Sequence, residues 1–131
     1  MHALRYTSWL PPLIWMGVLF HVLTMPVEVE PTPWLPPHFD KVVHFVLFAV
    51  LAWLLVLPFT LSLSWTLPVS ALNGFLIATS YGAWTEYIQS TIPHRHGTVS
   101  DAIANMLGAA TVFAAVRFAP RLYRLLGSLQ R

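Results

Sequence analysis

The chain has 131 residues, of which 56% are hydrophobic and only 9% are charged, with a formal net charge of +2 and no cysteine. Soluble domains carry about a quarter charged residues, so this composition predicts a membrane protein. The lack of cysteine excludes disulfides and thiolate metal sites, and the few, mostly terminal basic residues form no dense stripe that would indicate nucleic-acid binding.

The first apolar stretch runs from Trp9 to Met25 and is interrupted only by His21. Pro11 and Pro12 fall where a first helical turn tolerates proline, and the stretch is about long enough to cross a bilayer core. A cleaved signal peptide is the alternative. A proline and two glutamates follow in place of a small-residue cleavage site, so we favour an uncleaved transmembrane helix.

Three further helices are predicted after a proline-rich connector over residues 26–37, which should run extended. The second covers about 39–57 and is closed by Pro58, and the third covers about 67–90 with Pro68 in its first turn. The fourth covers about 99–118, begins with the capping signature Thr98-x-x-Asp101 and is bounded by Pro120. A short basic amphipathic tail follows. We therefore predict an all-α fold, a single integral membrane four-helix bundle over residues 1–131.

The distribution of basic residues predicts the orientation of this bundle. Arg5 lies at the start and most other arginines lie at the end, whereas the first predicted loop carries glutamates and the second carries no charge. The Lys/Arg bias places both termini in the cytoplasm, and an even number of helices agrees with that. The expected location is the cell membrane, with the first and third loops facing outward.

This topology brings polar residues from three helices to one membrane surface. The second helix begins at the outer face, the third ends there and the fourth begins there. At 1.5 Å rise per residue, their polar residues fall within a turn or two of one layer. These residues are Asp40, Lys41, His44, Glu86, Gln89, Asp101 and Asn105. Small residues continue the same stripes, Gly74, Ala78 and Gly82 on the third helix and Gly108 on the fourth, as helix interfaces in membranes require.

Each residue taken alone also has a plain structural explanation. Asp101 can cap its helix, Lys41 can snorkel to headgroups beside Asp40, and His44 can be a hydrogen-bonded core histidine. Arg95, in the third loop, can contact lipid phosphate. Glu86 is harder to explain because it needs a partner, such as Arg95, Lys41 or His44. Because all of them share one layer, we predict a functional site there.

The ordered set of motifs resembles the VanZ-like membrane proteins, a family named for a protein associated with low-level teicoplanin resistance. The resemblance covers the chain from Asp40 onward and rests on Asp40-Lys41-x-x-His44-Phe45, Gly82-x-x-x-Glu86-x-x-Gln89, Pro93-x-Arg95 and Ser100-Asp101-x-x-x-Asn105-x-x-Gly108. It implies a small polytopic protein of a bacterial cytoplasmic membrane and supplies no established reaction. Trp84 and Thr85 stand where members often carry a second acidic residue, which argues against a two-carboxylate mechanism.

The leading hypothesis is an outward-facing polar pocket that binds or modifies an anionic lipid or lipid-linked cell-envelope intermediate, with a link to glycopeptide resistance. Lys41 and Arg95 would clamp a phosphate or carboxylate, with Gln89 and Asn105 as further substrate-binding residues. If chemistry occurs, His44 or Glu86 would act as general base or acid, oriented by Asp40 or Gln89. Asp40 and Asp101 are the further candidate catalytic residues.

Other hypotheses remain open at this stage. The polar layer could be an internal latch in a non-catalytic structural or accessory subunit of a larger membrane complex. A transporter or proton path would need polar groups across the whole membrane, and the cytoplasmic halves offer few. No cofactor is predicted, and no tight motif supports a metal held by His44, Asp40, Glu86 and Asp101. Expected partners are membrane lipids and a membrane protein. An open cavity at the layer would favour binding, and mutually paired side chains would favour the latch.

Overall fold

The computed structural model describes residues 6–25, 36, 38–93, 95 and 97–129, with side chains described as far as residue 120. Within this part the chain is all-helical, with no strand. The four helices are α1 (Leu10–Thr24), α2 (Phe39–Leu61), α3 (Leu67–Thr91) and α4 (Val99–Leu129). The all-α prediction is confirmed for these residues. Most of the proline-rich connector, His94, His96 and the side chains of the basic tail lie outside the described residues.

Proline marks two helix starts as the sequence predicts. Both α1 and α3 carry proline at the first positions of the helix, where the missing N–H would have had no intrahelical acceptor. Proline in the interior of α2 and α4, in contrast, does not end the helix. The predicted ends at Pro58 and before Pro120 are wrong, because α2 continues to Leu61 and α4 continues to Leu129.

The continuation past Pro58 has a local explanation. Pro58 cannot donate to the carbonyl of Leu54, but its own carbonyl accepts from the backbone of Ser62 at 2.9 Å, so the next turn still closes. In a membrane such prolines are tolerated inside helices because neighbouring groups satisfy the freed carbonyl. With 31 residues, α4 is about 46 Å long, which exceeds the roughly 30 Å of a bilayer core.

Side-chain contacts at the two ends of the bundle show an up-and-down arrangement. The hydroxyls of Ser8, before α1, and Ser62, after α2, lie 2.7 Å apart at one end. At the other end, Gln89 near the end of α3 donates to the carbonyl of Leu23 near the end of α1 at 2.7 Å. We call this second end, where α1 and α3 end and α2 and α4 begin, the polar end.

The apolar core lies mainly among α2, α3 and α4, and α1 packs against α2 and α3. Phe48 of α2 is fully buried at its centre. The buried residues of this core are Leu19, Leu23, Phe48, Leu51, Ala52, Leu55, Val56, Phe59, Ala71, Ala78, Ala109 and Val112. Only Pro12, Leu19 and Leu23 of α1 are buried, so α1 contributes far less to the core than the other three helices.

Small residues allow the helix backbones to approach closely, as the sequence predicts. Gly74, Ala78 and Gly82 lie on the buried face of α3. On α4, Gly108 packs against the backbone carbonyl of Phe45 so closely that a Cβ there would overlap it. This contact joins α2 and α4 one residue after His44 and three residues after Asn105.

Two helices, α2 (Phe39–Leu61) and the α4 segment Val99–Pro120, are long and apolar enough to cross a membrane, and α1 is a shorter apolar helix. Much of the outer surface is apolar as well. Val46 and Leu76 are each 50% exposed, on α2 and α3 respectively. Exposed apolar surface of this extent marks a region that lipid or another protein covers.

Replacing Gly108 by alanine tests the α2–α4 contact. A Cβ at residue 108 would meet the rigid backbone of Phe45, so we expect Gly108→Ala to lower the free energy of unfolding by about 1–3 kcal/mol. Gly17→Ala is the matched control, because a Cβ at residue 17 meets nothing within 4 Å. The free energy of unfolding of both variants is measured by titration with SDS in mixed micelles. Equal stability of the two variants would contradict the close contact.

Candidate functional site

The polar end collects the predicted site residues from three helices. The first turns of α2 supply Asp40, Lys41 and His44, and the last turns of α3 supply Glu86 and Gln89. The first turns of α4 supply Asp101 and Asn105. Of these, His44, Glu86, Gln89, Asp101 and Asn105 are buried. The predicted convergence in one layer is therefore present. Together with Arg95 from the loop before α4, these side chains form what we call the polar cluster, and they divide into three groups with different partners.

The innermost group, which we call the inner triad, consists of His44, Glu86 and Asn105. Nδ1 of His44 lies 3.0 Å from Oδ1 of Asn105, and Nδ2 of Asn105 donates to Oε1 of Glu86 at 3.3 Å. Nδ1 of His44 is also 3.4 Å from the same Oε1. One side chain from each of α2, α3 and α4 thus contributes to a single hydrogen-bonded group.

The chemistry of Asn105 sets the direction of these hydrogen bonds. An amide oxygen only accepts and an amide nitrogen only donates. With Oδ1 towards His44, the imidazole must carry its proton on Nδ1, and Nδ2 is left to donate to the Glu86 carboxylate. The opposite amide orientation would place two acceptor oxygens together. Asn105, which is fully buried, therefore connects a proton donor on α2 with a carboxylate on α3.

Glu86 also accepts a hydrogen bond from the beginning of α4. The backbone N–H of Thr98 donates to Oε2 of Glu86 at 3.1 Å. In a capping box, that N–H bonds to the acidic side chain three residues later. Here the Thr98 hydroxyl accepts from the Asp101 backbone N–H at 3.1 Å, as the signature predicts, but Glu86 replaces Asp101 as the acceptor for Thr98 N–H. The start of α4 is thereby tied to the end of α3.

The second group consists of Lys41 and the two carboxylates that it pairs with, Asp101 and Asp40. Nζ of Lys41 donates to Oδ1 of Asp101 at 2.9 Å and to Oδ2 of Asp40 at 3.0 Å. The Thr98 hydroxyl donates to the other oxygen of Asp101 at 2.6 Å. The Lys41 ammonium lies between two carboxylates, so its positive charge is already balanced. This group lies at the edge of the cluster, with the Asp40 side chain 58% exposed.

The third group, Gln89 and Arg95, holds the end of α1. Nε2 of Gln89 donates to the carbonyl of Leu23. Arg95 donates from Nε to the carbonyl of Met25 at 2.9 Å and from Nη2 to that of Val22 at 3.0 Å. The last carbonyls of a helix have no intrahelical partner, and a basic side chain there also complements the helix dipole. Of the partners anticipated for Glu86, only His44 contacts it; Arg95 and Lys41 bond elsewhere.

Two contributions to the cluster were missed from the sequence. The capping signature indicates Thr98, but nothing in the sequence indicates that its backbone N–H would bond to Glu86. Every residue has a backbone carbonyl, so the sequence cannot show that Gln89 and Arg95 bond to those at the end of α1. Only the placement of the helices shows it. The alternation of small and polar residues on α3 and α4 was the useful signal, because it predicts which faces meet.

The geometry limits what the cluster can do chemically. An imidazole and a carboxylate within 3.4 Å can share a proton, but Glu86 is only 6% exposed and is surrounded by its own donors. No group of three or more His, Asp or Glu side chains suited to a metal ion occurs in the described part of the chain. A surface groove of about 390 Å³ lies elsewhere, between α1 and α3, and is lined by Met16, Leu76, Ile77, Ser80 and Tyr81.

Removing the Arg95 side chain tests whether its hydrogen bonds hold the end of α1. Arg95→Ala leaves the carbonyls of Val22 and Met25 without these donors, at about 1 kcal/mol per hydrogen bond. We expect the last turn of α1 to exchange amide hydrogens about tenfold faster, measured by mass spectrometry in nanodiscs, while α3 keeps its protection. Arg117→Ala, at an exposed arginine of α4, is the control. Unchanged exchange in α1 of the Arg95 variant would contradict the assignment.

Comparison with known proteins gives one finding and two negative results. A family model described as VanZ/LLP1 matches residues 5–120, which is most of the chain and includes every residue of the cluster. The search of curated proteins finds no match. The search of solved structures also finds none.

Proposed function

The chain belongs to the VanZ/LLP1 family, and from this premise we propose that it is an integral membrane protein whose polar cluster is an internal latch. In this proposal the cluster fixes α2, α3 and α4 in one arrangement. The protein then acts as a non-catalytic structural or accessory subunit of a larger assembly in a bacterial cell membrane. Both termini would lie in the cytoplasm and the polar end at the outer face, as the Lys/Arg distribution indicates.

The observation that carries this proposal is that every buried side chain of the cluster is hydrogen-bonded within the protein. Glu86 accepts from Asn105 and Thr98, Asp101 accepts from Lys41 and Thr98, and Gln89 donates to α1. A site that binds a substrate offers groups whose partners arrive with the ligand, whereas a latch uses them within the protein. Buried polar side chains that hydrogen-bond to one another across helices favour one packing arrangement over its competitors.

Embedding in a membrane is supported by the apolar outer surface and by the lengths of α2 and α4. Lipid offers no hydrogen bonds, so polar side chains within a bilayer face the bundle interior and pair with one another. The apolar outer faces of α2 and α3 and the inward-facing cluster follow this rule. The same rule supports a role for Gln89 and Arg95 in satisfying the end of α1, which has only 15 residues.

A second candidate function is binding of an anionic lipid or lipid-linked cell-envelope intermediate at the edge of the cluster. The observation in its favour is that Lys41 is not fully covered, since its side chain is 31% exposed beside the more exposed Asp40. A phosphate could reach the ammonium only in competition with Asp40 and Asp101. The association with teicoplanin resistance rests on the family resemblance.

An apolar replacement of the inner triad distinguishes the two functions. For the latch, a well-packed variant such as His44→Phe/Glu86→Met/Asn105→Leu should fold, with stability within a few kcal/mol of wild type. It should keep the membrane proteins that co-purify stoichiometrically with wild type in mild detergent. The second part of the experiment uses Lys41→Ala. Native mass spectrometry measures how much anionic lipid this variant retains compared with wild type.

The outcomes separate cleanly. Equal partner recovery from wild type and the triple variant, with no lipid lost from Lys41→Ala, supports the latch. A folded triple variant that loses its partners, or wild type with no stoichiometric partner, contradicts the accessory-subunit proposal. Loss of a bound anionic lipid from Lys41→Ala alone favours the second candidate.

A further inference from the structure

The first helix is bound largely through its backbone. The side chains of Tyr81 and Gln89 on α3, and of Arg95 in the loop before α4, donate to carbonyls in α1 or at the residue that follows it. Together with the sides of α2 and α3 against which α1 packs, these three side chains form what we call the α1 site. Every copy of the chain carries the same α1, so the α1 of a neighbouring copy would make the same hydrogen bonds there.

The other three helices do not depend on α1 for their arrangement. The apolar core lies mainly among α2, α3 and α4, and only Pro12, Leu19 and Leu23 of α1 are buried. The inner triad takes one side chain from each of these three helices and none from α1. The α1 site therefore keeps its form when one α1 leaves it and another takes its place.

The connection between α1 and α2 is much longer than the other two connections of the bundle. Fourteen residues, 25–38, lie between Thr24 and Phe39, whereas five residues join α2 to α3 and seven join α3 to α4. Neighbouring helices in bundles are usually joined by about 2–8 residues. The two short connections keep α2, α3 and α4 of one chain together, but the connection to α1 is longer than an adjacent helix requires.

The composition of this connection favours a long span over a tight reversal. Its prolines stand at positions 26, 31, 33, 36 and 37. In the extended form that this sequence predicts, its fourteen residues span about 43 Å, at roughly 3.1 Å per residue. The axes of packed helices lie about 8–10 Å apart, whereas the α1 site of an adjacent copy lies at least two helix diameters away, about 20 Å. The expected span therefore suits the site of the neighbouring copy better.

We propose that two copies of this protein exchange α1 in the membrane, so that the α1 of each copy occupies the α1 site of the other. The result is a two-fold symmetric dimer in which the contacts of α1 with its site are formed between chains, a low-cost route to dimers. The partner is a second copy because α1 is the segment that the structure places in this site. The proposal goes beyond the latch, which fixes α2, α3 and α4, and rests on the membrane embedding proposed above.

Cross-linking between single-cysteine chains tests the exchange, because the natural sequence has no cysteine. The rings of Phe20 on α1 and Trp84 on α3 are stacked, with their centroids 5.4 Å apart. When differently tagged Phe20→Cys and Trp84→Cys chains are co-expressed and treated with a short thiol cross-linker, we expect dimers that contain one chain of each kind.

The matched control pairs Phe75→Cys on α3 with Phe113→Cys on α4, whose native rings lie 6.2 Å apart. A seven-residue connection keeps these two helices in one chain. We therefore expect mixed dimers of the control pair to be at least about tenfold fewer than those of the Phe20 and Trp84 pair.

Replacing the prolines of the connection by serine tests the role of its stiffness. A flexible chain of fourteen residues spans about 20 Å on average, so α1 returns to the site of its own chain more readily. We expect the yield of mixed dimers to fall about tenfold. Glu28→Ser/Glu30→Ser is the control within the same connection, because it leaves every proline in place, and it should leave the yield unchanged.

A second cysteine pair repeats the test at the other end of α1. Trp9, just before α1, and Phe59 on α2 have ring centroids 5.5 Å apart, so Trp9→Cys and Phe59→Cys chains should also form mixed dimers. If neither pair exceeds the control pair, the proposal is overturned. A chain carrying both Phe20→Cys and Trp84→Cys that cross-links only within itself would overturn it as well, and so would an equal yield with and without the prolines.

Carbonate extraction of the same membranes keeps this test separate from the proposed function. A chain released by carbonate contradicts membrane embedding itself, whereas an embedded chain without mixed dimers contradicts only the exchange of α1.

Discussion

The structure depends on a buried carboxylate that must be supplied with hydrogen-bond donors. Glu86 is nearly inaccessible, and an unpaired carboxylate in an apolar interior costs several kcal/mol. Its donors come from elsewhere in the chain, the Asn105 amide and the Thr98 backbone N–H, with the His44 imidazole beside them. Satisfying one side chain of α3 therefore fixes where α2 and α4 begin. The close contact of Gly108 with Phe45 lies next to it, within one turn of His44 and Asn105.

The first helix is attached in a different way. Few of its side chains are buried, and hydrogen bonds to backbone carbonyls join it to the rest of the bundle instead. Trp15 of α1 donates to the carbonyl of Leu47 on α2, while Tyr81, Gln89 and Arg95 donate to carbonyls of α1. Where no water competes, such hydrogen bonds hold a short helix without a large apolar interface. Gln89 and Arg95 are therefore better explained as partners of α1 than as substrate contacts, although both lie beside the cluster.

The sequence was informative where a residue type has a single physical consequence. Composition and spacing predict four helices, proline predicts the starts of α1 and α3, and the small-polar stripes predict the buried faces of α3 and α4. The helix ends at Pro58 and Pro120 were mispredicted because proline ends a helix in water more reliably than inside a bundle. The partners of Glu86 and Arg95 were not predictable either. Those bonds involve backbone groups, which every residue carries, so only the packing decides which of them meet.

The central claim is that Glu86 and Asn105 hold α3 and α4 together through a direct interaction, and a double-mutant cycle measures it. The free energy of unfolding would be determined for wild type, Glu86→Ala, Asn105→Ala and the double variant in mixed micelles. The account predicts a coupling free energy of about 0.5–3 kcal/mol, with the double variant less destabilised than the sum of the single variants. Strict additivity of the two substitutions would contradict it.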